Sequence, residues 1–227
     1  MVGGVKKNIW IIANWKSNKT IREALEWIDF VGPKIEKRSN IKVVVCPSFI
    51  DIEEVKKAVL VGNFPLIVGS QDLSPFDVGA FTGEETAQIL KQFVDVSILG
   101  HSERRQNFGE NDEMIEQKVI QAKDHNIIPL VCVQGAETLI PEECSLVAYE
   151  PIFAVGTGFA DTPESANQVA GQLKQKNPGL EVLYGGSVTP ENARSFVERE
   201  NLSGVLVGKS SLDPEEFFKI VSNCFFV

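Results

Sequence analysis

Eight short apolar runs recur along the chain, and stretches with helical character separate most of them. The runs cover residues 8–13, 41–46, 65–69, 94–99, 127–133, 145–149, 180–184 and 204–207. Several runs are nearly continuous in Val, Ile and Leu, which is typical of strands that are buried on both faces of a parallel sheet. The pattern therefore predicts eight strands in a parallel arrangement.

Helix signals lie between these runs. Thr20 is an N-cap candidate for a helix over 21–37, where apolar residues recur with helical spacing. A Thr-Pro-Glu sequence and an Asp-Pro-Glu sequence predict helices over 163–176 and 214–222. No linker or low-complexity stretch divides the chain, so residues 1–227 are expected to form a single domain. Eight alternations in one domain favour a (β/α)8 barrel, with an open doubly wound sheet as the alternative.

The connection between the fifth and sixth predicted strands is unusually short. Residues 134–145, QGAETLIPEECS, include Pro141. A parallel crossover needs about a dozen residues before a full helix is counted, so we expect at most one helical turn there. The predicted fold is therefore a barrel with a shortened or missing helix between strands 5 and 6. A missing helix should uncover apolar surface on these strands, which shifted helices, the tail Phe225-Phe226-Val227 or another subunit would cover.

Composition narrows the choice of partners and of cellular compartment. The net charge of −9 argues against nucleic acid and against an anionic membrane surface as the main partner. The four cysteines are far apart, form no CxxC pair and are expected to be buried thiols in a reducing compartment. Neither a signal peptide nor an apolar run of membrane-spanning length is apparent. These features predict a cytoplasmic protein.

Polar residues of catalytic types follow the predicted strands. In chain order they are Asn14 and Lys16 after strand 1, Gln71 after strand 3, His101 and Glu103 after strand 4, and Glu150 after strand 6. Each residue taken alone also has a structural or solvated interpretation. Because catalytic groups of (β/α)8 enzymes come from the carboxyl ends of the strands, their joint placement favours one common site.

Two glycine-rich turns follow the last strands, in YGGSV at 184–188 and in GVLVG at 204–208. Glycine lets backbone N–H groups approach an anion closely, so these turns predict a phosphate-binding site. The second turn lacks the spacing of a nucleotide P-loop, because only three residues separate Gly204 from Gly208. We also see no metal-ligand cluster and no dinucleotide fingerprint, so no metal and no cofactor are expected.

The predicted site combines a lysine, an imidazole and a carboxylate. A lysine and an imidazole can stabilise a developing oxyanion, while a carboxylate can accept a proton. Together with the glycine turns, this set predicts proton abstraction next to the carbonyl of a small phosphorylated molecule.

Six motifs, in chain order, resemble the triosephosphate isomerase family. They are ANWK (13–16), GAFTGE (79–84), ILGHSERR (98–105), AYEPIFAVGTG (148–158), YGGSV (184–188) and GVLVG (204–208). The resemblance covers nearly the whole chain, and several long motifs in register make it specific. It implies interconversion of dihydroxyacetone phosphate and D-glyceraldehyde 3-phosphate through an enediolate, a step of glycolysis and gluconeogenesis.

The resemblance also implies a role for each catalytic residue. Glu150 would be the base, and His101 would be the electrophile that polarises the carbonyl. Lys16 and Asn14 would stabilise the enediolate, and Glu103 would pair with Lys16.

The resemblance further implies a phosphate site and a lid. Gly156, Ser187, Gly208 and the backbone of Lys209 would bind the phosphate, and residues 151–161 would form the lid. The lid is rich in apolar residues, so its closure is expected to exclude water and to raise the basicity of the catalytic carboxylate.

The chain departs from the usual family pattern at three side chains. Phe153 and Gly135 replace a tryptophan and a glutamate that contact each other in the open lid. Lys209 replaces a common glycine. These departures affect the expected anchoring of the lid and of the phosphate, while the catalytic set is intact.

The segment 73–86 is long for a loop and carries exposed-looking aromatic residues. In the family this loop inserts beside the active site of a neighbouring subunit, which implies interface roles for Phe81 and Thr82. We therefore expect a homodimer, with a tetramer as the second possibility because of the short connection at 134–145.

Two other functions compete with the isomerase. One is a catalytically inactive barrel that serves as a binding module, which the intact set Asn14, Lys16, His101 and Glu150 argues against. The other is a different phosphate-binding barrel enzyme, such as an aldolase or synthase. A Schiff-base enzyme would need a lysine inside the barrel, whereas strand 6 is followed by a glutamate.

Overall fold

The computed structural model describes residues 7–152 and 160–225, and its strands close into a parallel barrel. The strands are β1 (Ile9–Asn14), β2 (Ile41–Cys46), β3 (Leu66–Ser70), β4 (Val96–Leu99), β5 (Ile128–Val133), β6 (Leu146–Tyr149), β7 (Glu181–Tyr184) and β8 (Gly204–Val207). Each strand pairs with the next in sequence, and β8 pairs with β1. The predicted barrel is confirmed and the open sheet is excluded, because the pairing of β8 with β1 closes the sheet. Each observed strand also lies within two residues of its predicted bounds.

Helices follow most of the strands. They are α1 (Ile21–Val31), α2 (Ile52–Val61), α3 (Ala87–Leu90), α4 (Ser102–Phe108), α5 (Asp112–Asp124), α6 (Pro163–Lys176), α7 (Ala193–Val197) and α8 (Pro214–Cys224). Thr20 caps α1 as predicted, in a capping box with Glu23. The predicted extent of this helix, to residue 37, is wrong: it ends at Val31 and a 3₁₀ turn spans Gly32–Lys34. Pro33 lies in that turn, and a proline cannot donate the backbone hydrogen bond that would continue the helix.

No helix is present in residues 134–145, all of which the structure describes, so the prediction of a missing helix between β5 and β6 is confirmed. The expected uncovered surface on these strands is, however, almost absent. Only Ile128 of β5 is exposed, at 37%, and every residue of β6 is buried. The short connection itself contributes cover, because Cys144 belongs to the core and Ile140 packs against it.

The C-terminal tail does not cover the short connection in the part that is described. Phe225 lies under the guanidinium of Arg38, with 4.6 Å from the ring centroid to Cζ, and its carbonyl accepts a hydrogen bond from Arg38 Nη1 at 2.8 Å. Arg38 precedes β2, so this residue packs near the opposite wall of the barrel from β5 and β6. Residues 226 and 227 lie outside the described part of the chain.

The core has two parts. The larger part lies between the strands and the helices, and it contains the contacting rings of Trp15, Trp27 and Phe217. The smaller part fills the barrel interior and contains Trp10 and Cys132. Because the interior is packed with side chains, a substrate can bind only at a mouth of the barrel.

All four cysteines are free and buried, as the sequence predicts. Burial raises the pKa of the Cys46 thiol and of the Cys132 thiol above the ordinary range, and Glu150 adds to the shift at Cys132. Among the described residues, no helix is long and apolar enough to cross a membrane.

A buried cluster of charges joins β3 to α4 and α5. Lys118 is only 2% exposed, and its ammonium donates to Asp72 Oδ1 at 2.7 Å, to Asp72 Oδ2 at 2.8 Å and to Glu110. Arg104 Nη2 lies 2.8 Å from Asp72 Oδ2. Burial raises the pKa of Asp72 to about 6, although the Lys118 charge acts in the opposite direction. The charges of two carboxylates and two cations therefore balance in this cluster, which is centred on a buried ammonium.

Candidate active site

A cavity of about 190 Å³ opens at the carboxyl ends of the strands. The predicted site residues that line it are Asn14, Lys16, His101, Glu150, Ser187, Gly208 and Lys209. They come from elements far apart in the sequence, and the parallel barrel brings them together because the carboxyl ends of its strands meet at one end. Glu103 lines a second cavity beside the first. Gly156 lies outside the described residues.

Lys16 stands in a strained turn directly after β1. Its φ angle is 53°, in the left-handed region that non-glycine residues rarely adopt. Asn14 Oδ1 accepts a hydrogen bond from the Lys16 N–H at 3.0 Å. Gln71 Nε2 donates to the Lys16 carbonyl at 2.8 Å and to the Cys46 carbonyl at 3.1 Å. Asn14 and Gln71 therefore stabilise the turn, and the Lys16 ammonium pairs with Glu103 of α4.

Gln71 follows β3, and its two hydrogen bonds indicate that it positions Lys16, a role that the sequence did not predict for it. Gln71→Met should leave the Lys16 and Cys46 carbonyls without this donor and loosen the turn. A hydrogen bond contributes about 1 kcal/mol, so we expect kcat to fall about five- to ten-fold with little change in KM.

The matched control for this prediction is Gln92→Met, because Gln92 is exposed and, within residues 7–152 and 160–225, its side chain donates only to the carbonyl of Ile89, at 3.4 Å. Steady-state kinetics of both variants, with thermal unfolding as a check on folding, provides the measurement. Equal kcat values for Gln71→Met and wild type would contradict the positioning role.

His101 is the N-cap of α4, and its ring presents one nitrogen to the cavity. Its Nδ1 accepts a hydrogen bond from the Glu103 N–H at 3.2 Å. Because Nδ1 acts as an acceptor, the ring is neutral in this arrangement and its hydrogen is assigned to Nε2. Nε2 lies 3.1 Å from Glu150 Oε1. A neutral imidazole can donate its N–H to a substrate carbonyl and so polarise it.

Glu150 is completely buried at the end of β6. Its Oε2 accepts a hydrogen bond from the Ser102 N–H at 3.0 Å, whereas Oε1 has no hydrogen-bond partner with good geometry in the described part of the chain. Gly185 leaves room for this side chain, because a Cβ there would lie 3.0 Å from Glu150 Cγ. A buried carboxylate with one unsatisfied oxygen in a cavity wall is a candidate general base.

The predicted phosphate-binding turns face the same cavity. At Gly186 a Cβ would lie 2.2 Å from the Tyr184 hydroxyl, so only glycine allows this backbone path. At Gly208 a Cβ would lie 3.6 Å from Lys16 Cε, which places this turn beside the lysine. Lys209 begins a 3₁₀ turn over Lys209–Ser211, and it is not among the described residues with positive φ. The replacement of glycine by lysine at 209 therefore causes no left-handed strain.

The predicted lid is described only at its ends, because residues 153–159 lie outside the described part of the chain. At the C-terminal end, the Asp161 N–H donates to the Tyr184 hydroxyl at 2.8 Å, and the Ser165 hydroxyl donates to Asp161 Oδ2 at 3.0 Å. Burial, together with Asp161, raises the pKa of Tyr149 to about 12. These contacts anchor the end of the segment to β7 and α6.

The predicted interface residues Phe81 and Thr82 are exposed in the connection after β3. The Phe81 ring stacks on the ring of Phe76, with centroids 4.3 Å apart and an interplanar angle of 6°. Neither Phe81 nor Thr82 lines the two cavities at the barrel mouth.

Comparison with known proteins agrees with this geometry. A family model described as triosephosphate isomerase matches residues 9–224. A triosephosphate isomerase of Mesomycoplasma hyopneumoniae (strain 7448) is 36% identical over 242 residues, which cover 94% of this chain and 98% of the relative. The triosephosphate isomerase of Aquifex aeolicus (strain VF5) is also 36% identical, over 93% of this chain and 97% of the relative. The triosephosphate isomerase of Alkaliphilus metalliredigens (strain QYMF) is 35% identical, over 93% of this chain and 98% of the relative. The chain therefore belongs to the triosephosphate isomerase family.

Proposed function

We propose that Glu150 is the base and His101 the electrophile with which this member of the family interconverts dihydroxyacetone phosphate and D-glyceraldehyde 3-phosphate. The observation that carries the assignment is the approach of His101 Nε2 to within 3.1 Å of Glu150 Oε1 in the wall of the cavity. A base and an electrophile must reach neighbouring atoms of one substrate, and these two groups are close enough to do so.

The reaction can be written with these two groups. Glu150 takes a proton from C1 of dihydroxyacetone phosphate, and the electron pair moves through the C1–C2 bond onto the carbonyl oxygen. The Nε2–H of His101 donates a hydrogen bond to that oxygen as its negative charge develops. His101 then moves a proton from the oxygen on C1 to the oxygen on C2, and protonated Glu150 returns its proton to C2. The product is the aldehyde, and the enzyme regains its starting protonation state.

Lys16 and Asn14 stabilise the intermediate in this proposal. The negative charge of the enediolate lies on the oxygen of the former carbonyl group, and Lys16 and His101 line the same cavity. The left-handed turn at Lys16 and its ion pair with Glu103 orient the ammonium before the substrate binds. We assign phosphate binding to Ser187, Gly208, the backbone of Lys209 and Gly156.

A coupled isomerase assay tests the proposed function directly. The purified protein should convert each triose phosphate into the other, and His101→Gln should lower kcat by about 10² to 10⁴, the range of a lost acid–base group. Full turnover in the His101→Gln variant would contradict the electrophile assignment. An inactive wild-type protein would instead favour a barrel that only binds a phosphorylated ligand.

We also propose that the protein acts as a homodimer whose loop over 73–86 completes the site of the partner. A second cavity, of about 240 Å³, lies next to the catalytic residues and is lined in part by the exposed rings of Phe49 and Phe108. Phe81 is 42% exposed. The loop that carries it is too apolar to be freely solvated. A loop of a second copy that entered this cavity would cover these rings and bring Thr82 near Asn14.

A tetramer is the second assembly that we consider. Three apolar side chains are exposed on the elements that flank or form the short connection: Ile120 of α5, Ile128 of β5 and Leu139 of the connection itself. Leu139 is 71% exposed, and we propose that it would lie in the contact between two dimers.

Phe81→Asp should dissociate the dimer and lower kcat in the same concentration range, because a buried charge at an apolar interface is unfavourable. Light scattering and activity across one dilution series would measure both effects. Val61→Asp is the matched control, since Val61 is 88% exposed on α2. Leu139→Asp would split a tetramer into active dimers. A Phe81→Asp monomer with full turnover would contradict the role of the loop in the neighbouring site.

We propose a cytoplasmic location for the protein. The reaction assigned to the family belongs to glycolysis and gluconeogenesis, and the free, buried cysteines are compatible with a reducing compartment. Fractionation of cells that express the tagged protein would test this location.

A further inference from the structure

The formal charges around the catalytic cavity leave the site without a spare cation for an anionic substrate. Lys16 is paired with Glu103. Glu150 is a carboxylate that must be ionised to act as the base. His101 is neutral, because its Nδ1 accepts a hydrogen bond from the Glu103 N–H. Lys16, Glu103 and Glu150 together therefore carry one net negative charge.

The proposed substrate brings further negative charge to this site. A phosphate monoester carries a charge of about −1.5 to −2 at pH 7, since its second pKa is about 6. The chain as a whole has a net charge of −9, so the field of the protein does not favour an anion either. A local cation is needed at the phosphate end of the cavity.

Lys209 is placed to supply that cation. It lines the same cavity as Lys16, Ser187 and Gly208, and its residue is exposed. Within residues 7–152 and 160–225, its ammonium forms no ion pair and no side-chain hydrogen bond. The backbone carbonyl of Lys209 accepts a hydrogen bond from the Leu212 N–H at 3.0 Å. Local folding thus leaves the side chain of Lys209 without a structural partner.

We propose that the ammonium of Lys209 is a direct ligand of the substrate phosphate, in addition to any contact made by its backbone. This inference rests on the proposed function, because it assumes that the cavity binds a phosphorylated substrate. The ammonium brings the cavity from a net negative charge to neutrality before the dianion binds. Lys209 is therefore a binding and specificity residue for the phosphate, not for the reacting carbons.

The test compares Lys209→Met with Lys209→Arg. Methionine keeps the unbranched side chain and removes the charge, whereas arginine retains it. We expect Lys209→Met to raise both KM for D-glyceraldehyde 3-phosphate and the inhibition constant of inorganic phosphate by about three- to ten-fold, the size of a partly solvated charge-assisted contact. Its kcat should stay within about two-fold of wild type, its KM should depend less on salt, and Lys209→Arg should restore most of the lost affinity.

Two controls separate a direct contact from other effects. Lys219→Met makes the same change in net charge at a position of α8 that does not line the cavity. It should leave KM unchanged. D-glyceraldehyde, which lacks the phosphate, should be turned over with the same kcat/KM by wild type and Lys209→Met.

The proposal is overturned if Lys209→Met leaves KM and phosphate inhibition unchanged, or if Lys219→Met raises KM equally. Calorimetric titration with inorganic phosphate makes the result independent of catalysis. A wild type that binds phosphate through Lys209 but has no isomerase activity would refute the proposed function and retain the phosphate ligand. If the wild type is active but Lys209→Met does not change phosphate affinity, the proposed function is retained and the role of the Lys209 ammonium is refuted.

Discussion

Glu150→Gln should lower kcat by about 10² to 10⁴ and leave the folded structure intact, because an amide cannot accept the proton that the reaction removes. The carbonyl oxygen of the introduced amide can still accept the hydrogen bond that the Ser102 N–H now gives to Oε2 at 3.0 Å. The substitution keeps the size of the side chain, so KM should change little. The measurement is kcat in both reaction directions, with circular dichroism to establish folding.

Glu181→Gln is the matched control for this variant. Glu181 lies at the opposite end of the barrel, where its Oε2 accepts a hydrogen bond from Trp10 Nε1 at 3.0 Å. A glutamine there can still accept that bond, so turnover should be unaffected. Wild-type turnover in Glu150→Gln would refute the assignment of this residue as the base.

Lys118→Met should reduce the free energy of unfolding by about 3–5 kcal/mol, the usual cost of removing one partner from a buried group of charges. The variant leaves Asp72 and Glu110 close together in a site where Lys118 itself is 2% exposed. Arg104 would then be the remaining cation of the cluster. Urea unfolding monitored by tryptophan fluorescence would give the free energy.

Lys57→Met is the control, because Lys57 forms ion pairs with Glu53 and Glu54 on the exposed face of α2. Its loss should cost much less, because ion pairs between solvent-exposed side chains contribute little to stability. If Lys118→Met were no more costly than Lys57→Met, the cluster would not contribute to stability in the way we describe.

The pH dependence of Lys118→Met has a defined sign. Burial already raises the pKa of Asp72 to about 6, and loss of the nearby ammonium should raise it further. Loss of the ammonium leaves a carboxyl whose pKa is higher in the folded state than in the unfolded state. At pH values between these two pKa values, the folded state binds more protons than the unfolded state. Stability therefore increases as the pH falls through that window. The deficit of Lys118→Met relative to wild type should therefore shrink as the pH falls towards about 6, the pKa of Asp72 in the wild type, and stay constant below it.

The strands could be predicted because burial on both faces gives continuous apolar runs. The catalytic residues could be predicted because they follow those runs directly. The buried cluster was not predicted, although a signal existed. Lys118 lies at helical spacing between Ile115, Val119 and Ala122, which are all buried on one face of α5. A lysine in such a stripe requires acidic partners, but these come from the residues after β3 and from the segment before α5, so their identity depends on the tertiary structure.

Gln71 shows a second limit of the sequence. Its position at a strand end was visible, but its role depends on hydrogen bonds to the carbonyls of Cys46 and Lys16, which are distant in sequence. The end of the first predicted helix had a local cause instead. Pro33 is visible in the sequence, but the apolar spacing continues to Ile35, which is buried beyond the 3₁₀ turn.

Solvent hydrogen exchange tests most directly whether Glu150 carries a proton between adjacent carbons. When dihydroxyacetone phosphate is converted in D₂O, the proton taken by Glu150 can exchange with solvent before it is returned to C2. NMR should then detect deuterium at C2 of the D-glyceraldehyde 3-phosphate formed by the wild type. The Glu150→Gln variant should form product and incorporate deuterium far more slowly. Product formation and deuterium incorporation by Glu150→Gln at the wild-type rate would contradict proton transfer through this carboxylate.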